Sequence, residues 1–74
     1  MDFYRRLYLT YQNEDHDTVD KIIEDHYRRG NIEGIWGCYP APESGFEIMA
    51  ITCYLEEDFI TIKDELKNNG VALR

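Results

Sequence analysis

The sequence has few cysteines and no long apolar run, and each shortage excludes a class of protein. Its two cysteines, Cys38 and Cys53, are too few for the disulfide framework of many small secreted domains. The longest uninterrupted apolar stretch, residues 48–51, is far shorter than the roughly 20 residues of a membrane-spanning helix. The first ten residues, MDFYRRLYLT, also lack the apolar segment of a signal peptide. We therefore expect a cytoplasmic protein with no membrane association.

Basic residues are also scarce. Eight Lys and Arg residues stand against 15 Asp and Glu residues, which gives a net charge of −7 in a chain of 74 residues. This charge repels phosphate backbones and favours cationic partners, so nucleic acid is a disfavoured ligand. The same charge would also serve simply to keep a small protein in solution. The length suits one domain, 1–74, with a small core.

Hydrophobic periodicity predicts the first two elements. Residues 3–11 alternate between apolar and more polar side chains, which is typical of a strand with Leu7, Leu9 and Tyr11 on one face. Residues 17–29 follow the spacing of an amphipathic helix, with Asp17 or Thr18 as the N-cap. The apolar stripe of this helix consists of Val19, Ile22, Ile23, His26 and Tyr27.

The second half of the sequence predicts a β-hairpin followed by another helix. Residues 32–39 and 46–55 are extended runs joined by PAPESG, whose prolines and glycine suit a loop. Asp58 is the predicted cap of a helix with Phe59, Ile62 and Leu66 on its buried face, and residues 71–74 could add a short edge strand. The resulting order, βαββαβ, predicts an α+β, ferredoxin-like sandwich: an antiparallel sheet with two helices on one face, its last strand short or absent.

Neither catalysis nor metal binding has a sequence signal. Strand alternation places Cys38 and Cys53 in phase with Trp36, Ile51 and Leu55 under the helices, more than about 10 Å apart, as small core residues. His16 and His26 lack metal-ligand spacing to another His or Cys. We expect His16 to be solvated and His26 to be a buried, hydrogen-bonded imidazole. No catalytic residue, cofactor or metal ligand is predicted, although an enzyme using one histidine at a dimer interface stays open.

The acidic residues form two groups near the two helix starts. Glu56, Glu57 and Asp58 should lie near basic residues at the end of the first helix, which offset them. The other group is the less compensated one, and it could meet a basic partner or hold a divalent cation weakly. We call this end of the domain the acidic pole and define it by Glu14, Asp15 and Asp17 near the first helix start together with the hairpin residue Glu43. Interaction with the helix dipole, together with solvation, is nevertheless the favoured explanation of these residues, ahead of specific recognition.

Aromatic residues carry the strongest signal. The alternation that puts one set of side chains under the helices sends a second, tyrosine-bearing set to the opposite sheet face. A contiguous patch of this kind is typical of an interface. The predicted interface residues are Tyr4, Arg6, Tyr8, Ile35, Tyr39, Ile48, Thr52 and Tyr54.

Four functions compete on these grounds. The leading hypothesis is a small non-catalytic protein-binding module, such as an inhibitor, adaptor or phage-type host modulator, that docks on another protein or on itself. The alternative is a homodimeric domain that senses a small molecule. Single-strand nucleic-acid binding is disfavoured by charge and by the missing RRM signature. An enzyme has no motif to support it.

Overall fold

Three antiparallel strands and two helices make up the protein, as described for residues 6–74 by a computed structural model. The order along the chain is β1 (Arg6–Gln12), a 3-10 turn (Asn13–Asp15), α1 (His16–Arg28), β2 (Ile32–Pro40), β3 (Phe46–Cys53) and α2 (Glu56–Asn68). The sheet order is β1-β3-β2, so β3 is the central strand. The predicted α+β class and antiparallel sheet are therefore confirmed.

The two helices form where the periodicity predicted them, but they begin earlier. Helix α1 begins at His16 with Asp15 as its N-cap, and α2 begins at Glu56 after Leu55, without side-chain capping bonds. The predicted caps Asp17, Thr18 and Asp58 are therefore wrong. Three acidic residues in the first turn of α2 instead face the positive end of its dipole. Within residues 6–74, no helix is long and apolar enough to cross a membrane.

The core lies between the sheet and both helices, on one face of the sheet. Leu9 and Met49 are paired across β1 and β3, and both are 2% exposed. Helix α1 buries its predicted stripe except Tyr27, and α2 buries Ile62 and Leu66 completely. Cys53 is in this core as predicted, whereas Cys38 is exposed, so only one cysteine is a core residue.

Strand β2 carries β-bulges that exchange two side chains between the faces. Cys38 lies opposite Met49, as predicted, but an irregularity between Ile35 and Gly37 places Ile35 opposite Ile51. Residues directly opposite each other on paired strands point to the same face of the sheet. Ile35 is therefore on the face that carries the core residue Ile51, and Trp36 is on the other face. Trp36 is 57% exposed. The prediction that Trp36 lies under the helices is wrong because strict alternation cannot pass through a bulge.

The end of the chain adds no strand to the sheet, an outcome that the prediction of a short or absent last strand allowed. Residues 71–74 form no strand, although the Arg74 backbone N–H donates to the Thr10 carbonyl at 3.0 Å beside β1. Val71 is buried against the core and Leu73 packs beside it. Leu55, predicted to lie in the core, is 49% exposed because β3 ends at Cys53 and the chain turns into α2. Within residues 6–74 the sheet thus has three strands.

Candidate functional site

The helix-free face of the sheet carries a cluster of large side chains. Cross-strand register aligns Arg6 with Thr52 between β1 and β3, and Tyr39 with Ile48 between β2 and β3. Because β1 and β2 flank β3, side chains from all three strands meet on one surface. We call this surface the aromatic face and define it by Arg6, Tyr8, Trp36, Tyr39, Ile48 and Thr52.

Exposure differs between the outer and the central strands of this face. Tyr8 is 53% exposed and Tyr39 is 45% exposed, whereas Ala50 and Thr52 on β3 are buried. Large rings on the outer strands therefore flank small side chains on the central strand. A surface of this shape offers rigid aromatic contacts at its edges and a shallow floor between them.

The side chains of Arg6 and Trp36 cover part of the central strand on this face. The guanidinium carbon of Arg6 is 4.7 Å from the centroid of the Trp36 ring, within the range of a cation–π contact. The Trp36 indole N–H donates to the Thr52 hydroxyl at 2.5 Å. The ring also covers Gly34, whose added Cβ would lie 3.7 Å from it. Trp36 is thus held in one orientation by groups from all three strands.

Most of the predicted interface residues lie on this face. Arg6, Tyr8, Tyr39, Ile48 and Thr52 share it by register, while Ile35 is opposite the core residue Ile51. Tyr54 is exposed one residue beyond β3, and Tyr4 lies outside the described residues.

Strict strand alternation did not predict Trp36 as a member of the aromatic face. Gly37, an isolated glycine within a strand pattern, was the available signal of a bulge at this point.

The acidic pole is partly neutralised. Glu14 and Asp15 lie in the 3-10 turn and Asp17 lies in the first turn of α1, while Glu43 lies in the hairpin loop. The Glu43 carboxylate forms an ion pair with the Arg74 guanidinium. The Arg74 guanidinium carbon is also 4.5 Å from the centroid of the Phe46 ring. The pole therefore keeps its net negative charge but is not a set of free carboxylates.

A cluster of polar side chains lies on the helix side of the sheet. No sequence motif predicted it. His16 Nδ1 is 2.7 Å from Glu47 Oε1, and the Cys38 thiol donates to Glu47 Oε2 at 3.1 Å. Cys38 Sγ is 3.9 Å from His16 Nδ1, and the buried Tyr11 hydroxyl is 3.6 Å from the same sulfur. We call His16, Cys38 and Glu47 the His-Cys-Glu cluster. The start of α1 and the two hairpin strands each supply one member.

No protein-family model, no curated protein and no solved structure matches this chain. The geometry of its own residues is therefore the ground for a functional proposal.

Electrostatics in the His-Cys-Glu cluster favour a protonated thiol. Although Cys38 is exposed as a residue, partial desolvation of its thiol and the neighbouring Glu47 raise its pKa and outweigh the opposing effect of Tyr11. The hydrogen bond and charge of Glu47 raise the pKa of His16. Burial alone would raise the pKa of Glu47, but hydrogen bonds from Cys38 and His16 outweigh it and lower that pKa. Burial also raises the pKa of Tyr11.

This arrangement differs from that of a nucleophilic cysteine. In a Cys-His-acid triad the imidazole lies between the thiol and the carboxylate, so that one ring nitrogen faces each. Here Cys38 and Glu47 both approach the same nitrogen, Nδ1 of His16. Activation would also require a lowered thiol pKa, whereas that of Cys38 is raised. The geometry therefore gives no support to nucleophilic catalysis by Cys38.

His26 is a buried, hydrogen-bonded imidazole, as its pattern predicted. It is 1% exposed, with Nδ1 3.0 Å from the Asn31 side-chain nitrogen. The Arg29 guanidinium nitrogen is 3.3 Å from Nε2, and Glu65 Oε1 on α2 is 3.4 Å from the same atom. The imidazole thus links the end of α1 to α2.

Proposed function

We propose that the protein is a non-catalytic protein-binding module whose aromatic face docks on a partner protein. The observation that carries this proposal is the exposure of Tyr8, Trp36 and Tyr39 on one helix-free sheet face, beside Arg6. Trp, Tyr and Arg are the residue types that most often dominate binding energy at interfaces. Their rings are also supported from below by a sheet, which lowers the ordering cost of binding.

Charge favours a partner with a basic rim over a second copy of this chain. Two copies would each bring a net charge of −7 into contact, and the repulsion would oppose a face-to-face dimer. A partner with Lys and Arg around an apolar centre would instead be attracted, and electrostatic steering would speed its association at low salt. The acidic pole, including Asp17, adds to this attraction.

The position of the last four residues relative to the sheet is part of the same proposal. We infer a ferredoxin-like arrangement in which residues 71–74, although they form no strand, run beside β1 in the place of the fourth strand. The backbone hydrogen bond from Arg74 to Thr10 supports this arrangement. It would leave the aromatic face, on the side without helices, as the widest unpartnered surface of the sheet.

The test compares two substitutions on the face with a matched one elsewhere. Tyr8→Ala and Tyr39→Ala remove rings from the face, whereas Tyr27→Ala removes an exposed tyrosine from α1, where Tyr27 is 49% exposed. Proteins retained from the source cell by the wild type would be purified and titrated against each variant. We expect each face variant to weaken binding at least about tenfold and Tyr27→Ala to leave it unchanged.

Native mass measured by light scattering accompanies this titration. We expect a monomer, and binding to the purified partner that weakens as salt concentration rises. A dimer abolished by Tyr8→Ala would show that a second copy occupies the face. A partner that binds all three variants equally would contradict the proposal.

A further inference from the structure

We propose that His16, Cys38 and Glu47 form a zinc site, with His16 Nδ1, Cys38 Sγ and a Glu47 carboxylate oxygen as the three protein ligands. Among residues 6–74, these three side chains make up the one group of three or more His, Cys, Asp or Glu ligand atoms within 4.8 Å of one another. The proposal is independent of the aromatic face, because Cys38 is on the helix side of the sheet and Tyr39 on the other.

The spacing of the three ligand atoms suits a tetrahedral ion. Zinc bonds of about 2.3 Å to sulfur and about 2.0–2.2 Å to nitrogen and oxygen imply separations of about 3.4–3.6 Å between neighbouring ligand atoms. The separations are 2.7 Å between His16 Nδ1 and Glu47 Oε1, 3.1 Å between Cys38 Sγ and Glu47 Oε2, and 3.9 Å between Cys38 Sγ and His16 Nδ1. The first two separations end on different oxygens of Glu47, and the three ligand atoms lie within 4.8 Å of one another, so small side-chain shifts would bring one oxygen, the nitrogen and the sulfur to the expected spacing.

The identity of the ligands selects the class of metal. A thiolate and an imidazole suit zinc and other borderline transition metals, whereas Mg²⁺ and Ca²⁺ prefer all-oxygen ligands. One sulfur, one nitrogen and one carboxylate oxygen therefore favour Zn²⁺ over the cations that the acidic pole could hold. This distinction separates the cluster from an ordinary group of surface carboxylates.

Two hydrogen bonds hold the cluster in its metal-free form. The Cys38 thiol donates to one oxygen of Glu47, and His16 Nδ1 pairs with the other. Zn²⁺ would take the place of the two protons in these bonds. The thiol proton would be released to solvent, and the Nδ1 proton of His16 would either be released from an imidazolium or move to Nε2 in the neutral ring, so that Nδ1 is free to bind the ion. The buried Tyr11 hydroxyl, 3.6 Å from Cys38 Sγ, is placed to donate a hydrogen bond to the thiolate that results.

The site is accessible from solvent. The His16 side chain is 43% exposed and that of Glu47 is 16% exposed. Cys38 and Glu47 also line a surface depression of about 400 Å³ beside the hairpin loop. Three protein ligands leave the fourth position of a tetrahedral ion for water or a small ligand, which is the arrangement of zinc sites that exchange ligands.

The first experiment titrates metal-free protein, kept reduced with a phosphine, with Zn²⁺ and with Co²⁺. We expect one Zn²⁺ per chain, displacement of bound Co²⁺ by Zn²⁺, and a Co²⁺ complex with the absorption of thiolate-to-metal charge transfer. Bound Zn²⁺ should also raise the melting temperature, since it binds the folded chain. Absence of the charge-transfer absorption, or Zn²⁺ binding no tighter than that of Mg²⁺, would overturn the proposal.

The second experiment changes the ligands one at a time. His16→Gln, Cys38→Ser and Glu47→Gln should each weaken Zn²⁺ binding at least about tenfold, and Cys38→Ser should abolish the charge-transfer band. The matched controls are Cys53→Ala, which removes the other thiol, and Glu43→Gln, which removes a nearby carboxylate outside the cluster. Circular dichroism establishes that each variant is folded. Unchanged affinity in the three ligand variants, or equal losses in the controls, would refute the site.

Discussion

The Arg6 guanidinium carbon lies 4.7 Å from the centroid of the Trp36 ring, although β3 separates the strands that carry these residues. The two side chains therefore meet above the central strand, where Thr52 accepts the indole hydrogen bond. A small residue at this point of β3 allows the contact, because a longer side chain would fill the space between them. The contact joins both outer strands on the face that we propose to bind a partner.

Arg6→Ala should loosen the Trp36 side chain and expose more of its ring. An exposed cation–π contact contributes about 0.5–1 kcal/mol, so we expect a loss of that size in the free energy of unfolding. Trp36 is the single tryptophan of the chain, so quenching of its fluorescence by acrylamide reports this ring alone. Quenching should increase in Arg6→Ala and stay unchanged in Arg28→Ala, which alters an exposed arginine of α1. Equal quenching in the two variants would show that Arg6 does not cover the ring.

Gly37→Ala should destabilise the bulge that orients Trp36. Gly37 has a φ of +146°, a conformation that strains other residues by about 1–3 kcal/mol. The control is Gly34→Ala on the same strand: its φ is not positive, and its new Cβ would make an ordinary 3.7 Å contact with the Trp36 ring. Urea unfolding should show a lower midpoint for Gly37→Ala and little loss for Gly34→Ala. A similar loss in both would mean that space, not backbone conformation, limits this strand.

Elements with a strong local signal were predicted well from the sequence. The apolar spacing of α1 and the loop residues PAPESG determined a helix and a hairpin register close to those observed, with Cys38 opposite Met49. The bulge between Ile35 and Gly37 was not predicted, since a glycine in a strand is compatible with both a regular ladder and a bulge. This single irregularity reversed the faces of Ile35 and Trp36.

The His-Cys-Glu cluster had no signal in the sequence for a different reason. His16 and Glu47 are 31 positions apart, and Cys38 is 22 positions from His16. Their meeting depends on how α1 leaves β1 and on the register of the hairpin, both of which are tertiary features. Motif spacing detects ligands that share one element or one turn, whereas these three come from three elements.

Cys53 should make stability depend on pH in the alkaline range. Burial, with a smaller effect from Asp58, raises the pKa of its thiol from 9.0 to about 11. The unfolded thiol therefore loses its proton at lower pH than the folded one, so the folded state is favoured below pH 9 and this contribution is lost towards pH 11.

Unfolding free energies of the wild type and Cys53→Ala at about pH 8 and about pH 11 test this linkage. The wild type should lose more stability between the two conditions, because all other titrating groups are common to both proteins. Parallel losses in the two proteins would show that Cys53 ionises alike in the folded and unfolded states.

Helix α2 offers a comparison between a buried and an exposed isoleucine only two positions apart. Ile62 is completely buried in the core, whereas Ile60 is 49% exposed. Ile62→Ala should cost about 2–5 kcal/mol through lost apolar contact and the cavity left behind, enough to unfold much of a small domain. Ile62→Val, which should cost about 0.5–1.5 kcal/mol, keeps the measurement within range if the alanine variant does not fold.

Ile60→Ala is the matched control and should change the free energy of unfolding by less than about 0.5 kcal/mol. Urea titrations followed by circular dichroism would give all three values, with unchanged slopes as the sign of two-state unfolding. If Ile60→Ala cost as much as Ile62→Val, the exposed face of α2 would have to contact something other than solvent. Because sheet and helices share one core, loss of the Ile62 side chain should also weaken the support of the aromatic face from behind.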